Sequence, residues 1–386
     1  MSTMVQVLPR TGSIVLLLVL AGCSSLLGLD DYEDNPEQAS AGRGGGGSGD
    51  GGASGGAANA CPPRMGQGGC AALGSDQNCA YCRNDCLNGS CMAGACSAGK
   101  VGTIAGFGLV GDDTHLFFRP EGDDTVYRVA ITALDMVAPE PIASSLTDVW
   151  ALLIAEPHLY VSASANIMRM EKSGAAPEVI ATIAPPENRP NAMLVDRGYL
   201  YYTGSYAPGL RRISLMGAFP APELVVADVG AAAGLAEDAD TLYFASMGDS
   251  GASNGAILYF SKSLAGQSTQ AHAVAENIES PVHLVAVGDD LYFSTGTLVM
   301  RVPKSGGAPV LVMAFARTIA ALDSDGCELF VAAGDNDLSG EVWAMGLDGQ
   351  GAVRLNSGVN LLRSGIRGSR DAVFHGGLSG IYRIMR

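Results

Sequence analysis

Seven cysteines fall within 36 residues, at Cys61, Cys70, Cys79, Cys82, Cys86, Cys91 and Cys96. Thiols at this density can cross-link a chain, hold zinc or exchange electrons. Cys79-x-x-Cys82 has the spacing of half a zinc site or of a redox pair. No histidine is interleaved and no βαβ pattern surrounds it, so disulfides are the leading reading. A segment this short cannot be held together by burial, and cross-links must supply its stability. Seven is odd. Apart from Cys23, the one further cysteine is Cys327, in "SDGCELF". One cysteine of the cluster is therefore expected to bridge to Cys327 and clamp the small module to the rest. The competing reading of Cys327 is a partly buried free thiol.

Other candidate chemistry is thinner. "GDSG" (Gly248 to Gly251) is the tetrapeptide that surrounds a trypsin-like serine nucleophile, but it sits in the small-residue stretch "SMGDSGASNGA" and has no matching histidine context. It reads as a loop. "GDNDLSGE" sets Asp335, Asp337 and Ser339 at alternate positions, as calcium loops do, yet Gly346 stands where the closing Glu should be. A solvated turn is the better reading. His115, His158, His272, His283 and His375 share no metal-ligand spacing, and His375 falls at a strand core position. Arg128, Arg169, Arg212, Arg301 and Arg383 recur at matching places and are expected to bond neighbouring strands rather than a ligand. No catalytic residue, metal site or cofactor is expected.

The elements that carry these residues repeat. Seven apolar triplets recur: Leu116-Phe117-Phe118, Leu159-Tyr160-Val161, Leu200-Tyr201-Tyr202, Leu242-Tyr243-Phe244, Leu291-Tyr292-Phe293, Leu329-Phe330-Val331 and Val373-Phe374-His375. Their starts lie 43, 41, 42, 49, 38 and 44 residues apart. Turn-rich sequence precedes most of them, a second β-prone run such as "VMRV" follows each, and several units add a third such as "VLVMAF". Runs of small and aliphatic residues ("NAMLV", "AAAGLA", "IAAL") lie upstream. Each unit thus reads as four antiparallel strands, the period of a β-propeller blade. The small-residue run suits the crowded innermost strand, and the triplet a strand sandwiched on both faces. The last unit lacks an outer strand, and "KVGTIAG" (Lys100 to Gly106) is expected to supply it and close a seven-bladed ring. A six-bladed ring with an extra half-blade, or a pair of β-sandwiches, is the runner-up.

Ahead of the ring the chain changes character. "AGRGGGGSGDGGASGGAANA" (Ala41 to Ala60) is half glycine and reads as a disordered, flexible linker. Residues 24–60 would span roughly 35 Å as a coil. "SIVLLLVLAG" (Ser13 to Gly22) is too short to cross a bilayer and follows Arg10, as in a signal peptide. The division expected is 1–22 signal peptide, 23–60 tether, 61–99 cysteine-rich disulfide module and 100–386 all-β propeller. Loss of Arg10 with the signal takes the charge from −16 to −17, from 22 basic against 39 acidic residues. An acidic chain of this kind is not built to bind nucleic acid.

"LAGC" (Leu20 to Cys23) resembles a bacterial lipoprotein lipobox. The resemblance implies cleavage after Gly22, acylation of the Cys23 thiol and a membrane partner reached through the lipid. Ser24 after the acylated position favours the outer membrane in such families. Units such as "LYYTGSYAPGLRRISLMG" and "LYFSTGTLVMRVPKSGG" resemble YWTD and NHL propeller repeats, with "TG", "ST" and "SA" where the YWTD signature ends in Asp. That resemblance implies a ring that binds proteins, glycans or ligands, a minority of such propellers being enzymes. The expected function is therefore a lipid-anchored cell-envelope protein with the propeller as a binding or scaffolding module. The alternative is a metal-dependent hydrolase of lactonase type on the propeller channel. It would need Asp148, Asn191, Glu279 and Asn360 to converge at the mouth.

Overall fold

Every triplet residue is 6% exposed or less, so the strands that carry them are buried on both faces. The reason is visible in the alternation of side chains along a strand. In each unit the first and third triplet residues pack with the preceding sheet and the middle one with the following sheet. Leu200 and Tyr202, for example, join the cluster of Tyr160 and Ile180, whereas Tyr201 joins that of Leu242 and Phe260. Seven such clusters form, one at each junction between sheets.

The computed structural model describes residues 98–385 together with Cys91–Met92 and Ala95–Cys96. Within that range, residues 121, 134–135, 184–189, 205–208, 218, 228–230, 249–252, 263–269, 336–339, 362–364, 370 and 379 are not described. The expected signal peptide, Cys23, the tether and Cys61, Cys70, Cys79, Cys82 and Cys86 lie outside the described residues. All described residues belong to one unit, Ala57–Arg386. Cys91–Met92 pairs antiparallel with Ala95–Cys96, which sets Cys91 opposite Cys96.

Seven four-stranded antiparallel sheets follow, the blades of a β-propeller. Blade 1 starts with inner strand Phe107–Gly111, blade 2 with Val149–Ala155, blade 3 with Pro190–Asp196, blade 4 with Ala232–Glu237, blade 5 with Pro281–Val287, blade 6 with Ile319–Ser324 and blade 7 with Ile366–Gly368. These inner strands touch one another in a closed circle, blade 7 meeting blade 1. The triplets lie on the second strands. "GDDLYFSTGTLVMRVPKSGGAP" is thus the middle two strands of blade 5, Asp290–Thr295 and Leu298–Pro303, with their turns.

Closure is by the strand expected. Gly99–Gly102 pairs with Gly380–Met385 and completes blade 7. Gly376 makes the seam possible: a Cβ there would lie 2.0 Å from the Gly106 carbonyl oxygen. A contact of that kind excludes any side chain. The Arg383 guanidinium, 3% exposed, donates to the Ile131 carbonyl across the seam at 2.8 Å. Arg128 makes the same bond from blade 1 to Lys172 of blade 2, also at 2.8 Å. The ring is therefore joined at its ends by a bond that also recurs inside it.

Candidate functional site

Six of the seven inner strands carry a β-bulge near their start, where residues of the inner strand outnumber those opposite. Bulges leave residues unpaired and re-aim their side chains. In blades 4, 5 and 6 the bulge residues are Ala233 and Gly234, Val282 and His283, and Ala320. All five line a cavity of about 530 Å³ at the hub. Ala192 of blade 3 and Met247, just after the second strand of blade 4, complete that end of it. The mouth therefore belongs to the face formed by loops between blades and by turns joining second to third strands.

Glycine is required at one point of this wall. A Cβ on Gly234 would lie 2.5 Å from the Val282 carbonyl oxygen and 2.8 Å from the Leu284 nitrogen. The glycine of the "AAAGLA" run is thus a condition of close packing between the inner strands of blades 4 and 5.

Among the described residues, His283 is the one titratable side chain of the cavity wall. Its backbone N–H donates to Ser294 Oγ at 3.2 Å, which anchors the bulge. Ser294 occupies the place of "ST" in the repeat, so that small hydroxyl serves a bulge amide. Burial pushes the imidazole down to about 4, against the opposing hydrogen bond from the ring to the Ile319 backbone. The ring is neutral at physiological pH.

The opposite face, formed by the first-to-second and third-to-fourth turns, is polar and internally paired. Lys172, Lys262 and Lys304 each follow a third strand. Lys172 Nζ reaches Asp112 of blade 1 at 2.6 Å. Lys262 Nζ, with a side chain 3% exposed, reaches Asp196 of blade 3 at 3.1 Å and Glu237 of its own blade at 2.6 Å. Lys304 Nζ reaches Asp238 of blade 4 at 3.2 Å. Burial opposes the Asp112 charge, but the Lys172 ammonium, the Thr114 hydroxyl and two backbone N–H groups outweigh it and hold that carboxyl well below its usual range. Asp238 is lowered in the same way: burial is outweighed by the Tyr243 hydroxyl and Lys304. Burial and that same Asp238 push the Tyr243 phenol up to about 12. These acids and bases staple blade to blade.

The residues singled out in the sequence separate accordingly. Arg128, Arg169 and Arg212 pair with Glu140, Glu178 and Glu223, each directly opposite on the outer strand. Arg301 faces Asp290 at 3.8 Å. This is strand-to-strand bonding, as expected. His375 is fully buried, with Nδ1 on the Gly376 carbonyl at 3.1 Å and Nε2 on Asn356 at 2.9 Å. "GDSG" lies largely outside the described residues, as do Asp337 and Ser339; Asp335 pairs with Arg317 at 3.6 Å. Asp148, Glu279 and Asn360 stand before the inner strands of three different blades, and the Asn191 side chain is not described. Among the described residues no three of His, Cys, Asp and Glu gather closely enough to hold a metal. Cys327 lies in the first-to-second turn of blade 6. His283 had no signal in the sequence, because its place depends on the bulge.

No protein-family model and no curated protein matches the chain. Solved structures share the fold. The computationally designed Ika8 protein aligns with TM-score 0.51 and 10% identity over 74% of this chain and 99% of its own. PorZ, a bacterial surface component of the type-IX secretion system of Porphyromonas gingivalis, aligns with TM-score 0.54 and 16% identity over 75% of this chain and 38% of its own. The extracellular domain of the one component system BT4673 from B. thetaiotaomicron gives TM-score 0.54 and 11% identity over 74% of this chain and 40% of its own. The chain thus spans well under half the length of these two bacterial proteins.

Proposed function

We propose that the chain is a lipid-anchored cell-envelope protein, acylated at Cys23, whose propeller is a binding or scaffolding module for a protein or glycan. The observation that carries the reading is a closed seven-bladed ring whose described acids and bases largely pair with one another rather than around a reaction centre. Two of the solved structures sharing the fold are a bacterial surface component and an extracellular domain, which fits an envelope location. The lipobox adds the anchor.

Orientation follows from the path of the chain. Gly99 pairs with Arg383 near the end of the third strand of blade 7, so the chain joins the ring on the face bearing the turns between first and second strands. Cys327 lies on that same face. A disulfide from the 61–99 module to Cys327 would fix the module there and turn the face bearing the hub cavity outward. Alkylation of the denatured, unreduced chain followed by mass measurement tests this. No free thiol among Cys61 to Cys96 and Cys327 is expected, and a free Cys327 would refute it.

The scaffold reading is tested by crosslinking in intact cells, with residues 1–60 alone as the control. Partners captured by the full chain and absent from the control are expected. Identical captures would overturn the reading.

A further inference from the structure

At the hub, the bulge pair Val282 and His283 of blade 5 stands between Ala233 and Gly234 of blade 4 and Ala320 of blade 6. Small residues thus flank the pair on both sides, and the cavity of about 530 Å³ lies among them. A volume of that size suits a small organic molecule. The other described side chains of the wall, including Ala192, Leu284 and Leu322, are apolar, while polar atoms contribute nearly as much of its surface as apolar ones. A charged ligand would lose its hydration here and meet no counter-charge from the described side chains of the wall.

The one polar side chain among the described residues of the wall dictates the complementary group. The neutral ring of His283 uses one nitrogen on the Ile319 backbone. The other is then a lone-pair acceptor. Among the described residues the wall supplies one side-chain acceptor and no side-chain donor.

We propose that the hub cavity is a binding site for an uncharged small molecule carrying a hydrogen-bond donor, an alcohol, phenol or amine N–H, received by His283. This goes beyond the reading of the ring as a scaffold, since it concerns a small ligand at the axis and stands whether or not the faces carry a macromolecular partner.

The probe is N-phenyl-1-naphthylamine, which is uncharged, apolar, bears a single N–H and fluoresces on leaving water. It is titrated into the full chain with Cys23→Ser, which removes the acylation site and leaves the ring unchanged. Saturable binding of one probe per chain is expected. Ala320→Phe fills the space and should abolish it. Ala192→Leu is the second variant should Ala320→Phe fail to fold, and should weaken binding at least tenfold. His283→Leu keeps most of the side-chain bulk but removes the acceptor, and should raise Kd about tenfold, the worth of one hydrogen bond. The sulfonated analogue 8-anilinonaphthalene-1-sulfonate should bind at least tenfold more weakly. Absence of saturable binding, or equal affinity in folded wall variants, would overturn the proposal, as would equal affinity for the sulfonate.

Discussion

His283 and His375 make a natural pair. Each ring is neutral, with its pKa pushed by burial down to about 4. Their surroundings differ. His375 sits on a second strand, stacked on Tyr382 with ring centroids 5.1 Å apart, both nitrogens hydrogen-bonded. His283 sits on a bulge, with one nitrogen on the Ile319 backbone and a side chain that borders the cavity. A depressed pKa therefore does not separate a structural histidine from an available one. The count of partners does.

The largest effect expected is on stability as pH falls. An unfolded histidine titrates near 6.5, whereas both folded rings titrate at about 4. Above pH 6.5 neither state takes up a proton. Between 6.5 and 4 the unfolded chain does and the folded ring does not, so stability drops across that window and levels off below it. A shift of this size corresponds to about 3 kcal/mol for His375 and to less for His283, whose cavity can admit water. Asp112 and Asp238 lose their contributions only below their unfolded value of 3.8, so the windows do not coincide. Urea unfolding at pH 7 and pH 4.5 measures the slope. His375→Leu should remove the larger part of it and His283→Leu the smaller.

Next in size is the cost of deletion at neutral pH. His375→Ala leaves a void in a fully buried site and removes both ring hydrogen bonds, at about 3 kcal/mol. His283→Leu should stay within about 1 kcal/mol, because its outer side already faces open space. Equal losses in urea midpoints would collapse the distinction.

What the sequence discloses divides along the same line. The triplets were legible because a strand buried on both faces must be apolar at consecutive positions, and Leu200-Tyr201-Tyr202 says so without any structure. The closing strand was legible because the last unit was visibly one strand short. Strand-to-strand pairing of Arg128, Arg169 and Arg212 followed from their recurrence at one place in the unit. His283 was not legible. "PVHLVAV" looks like an ordinary strand, and nothing local reveals that its second and third residues share one partner, Ser294, across the ladder. A bulge is set by how seven strands meet at an axis. The staples were hidden for a related reason: Lys172 and Asp112 are 60 residues apart, and only the ring brings them together.

The smallest effect expected tests which atoms close the His375 site. Nδ1 contacts a carbonyl and so must donate, which leaves Nε2 to accept from the Asn356 amide. Asn356 Oδ1 already accepts the Ser357 N–H at 2.9 Å, so the amide cannot turn over without losing that bond. Its N–H therefore favours the neutral ring and opposes protonation. Asn356→Ala should cost about 1 kcal/mol at pH 7, where the bond is made. As pH approaches 4 the cost should shrink, because a protonated Nε2 would have met a donor instead of an acceptor. The NMR titration of His375 should move upward in the same variant, while that of His283 stays in place. A cost that is the same at both pH values would mean that Asn356 only fills space beside the ring, and the difference between the two histidines would then rest on burial rather than on partners.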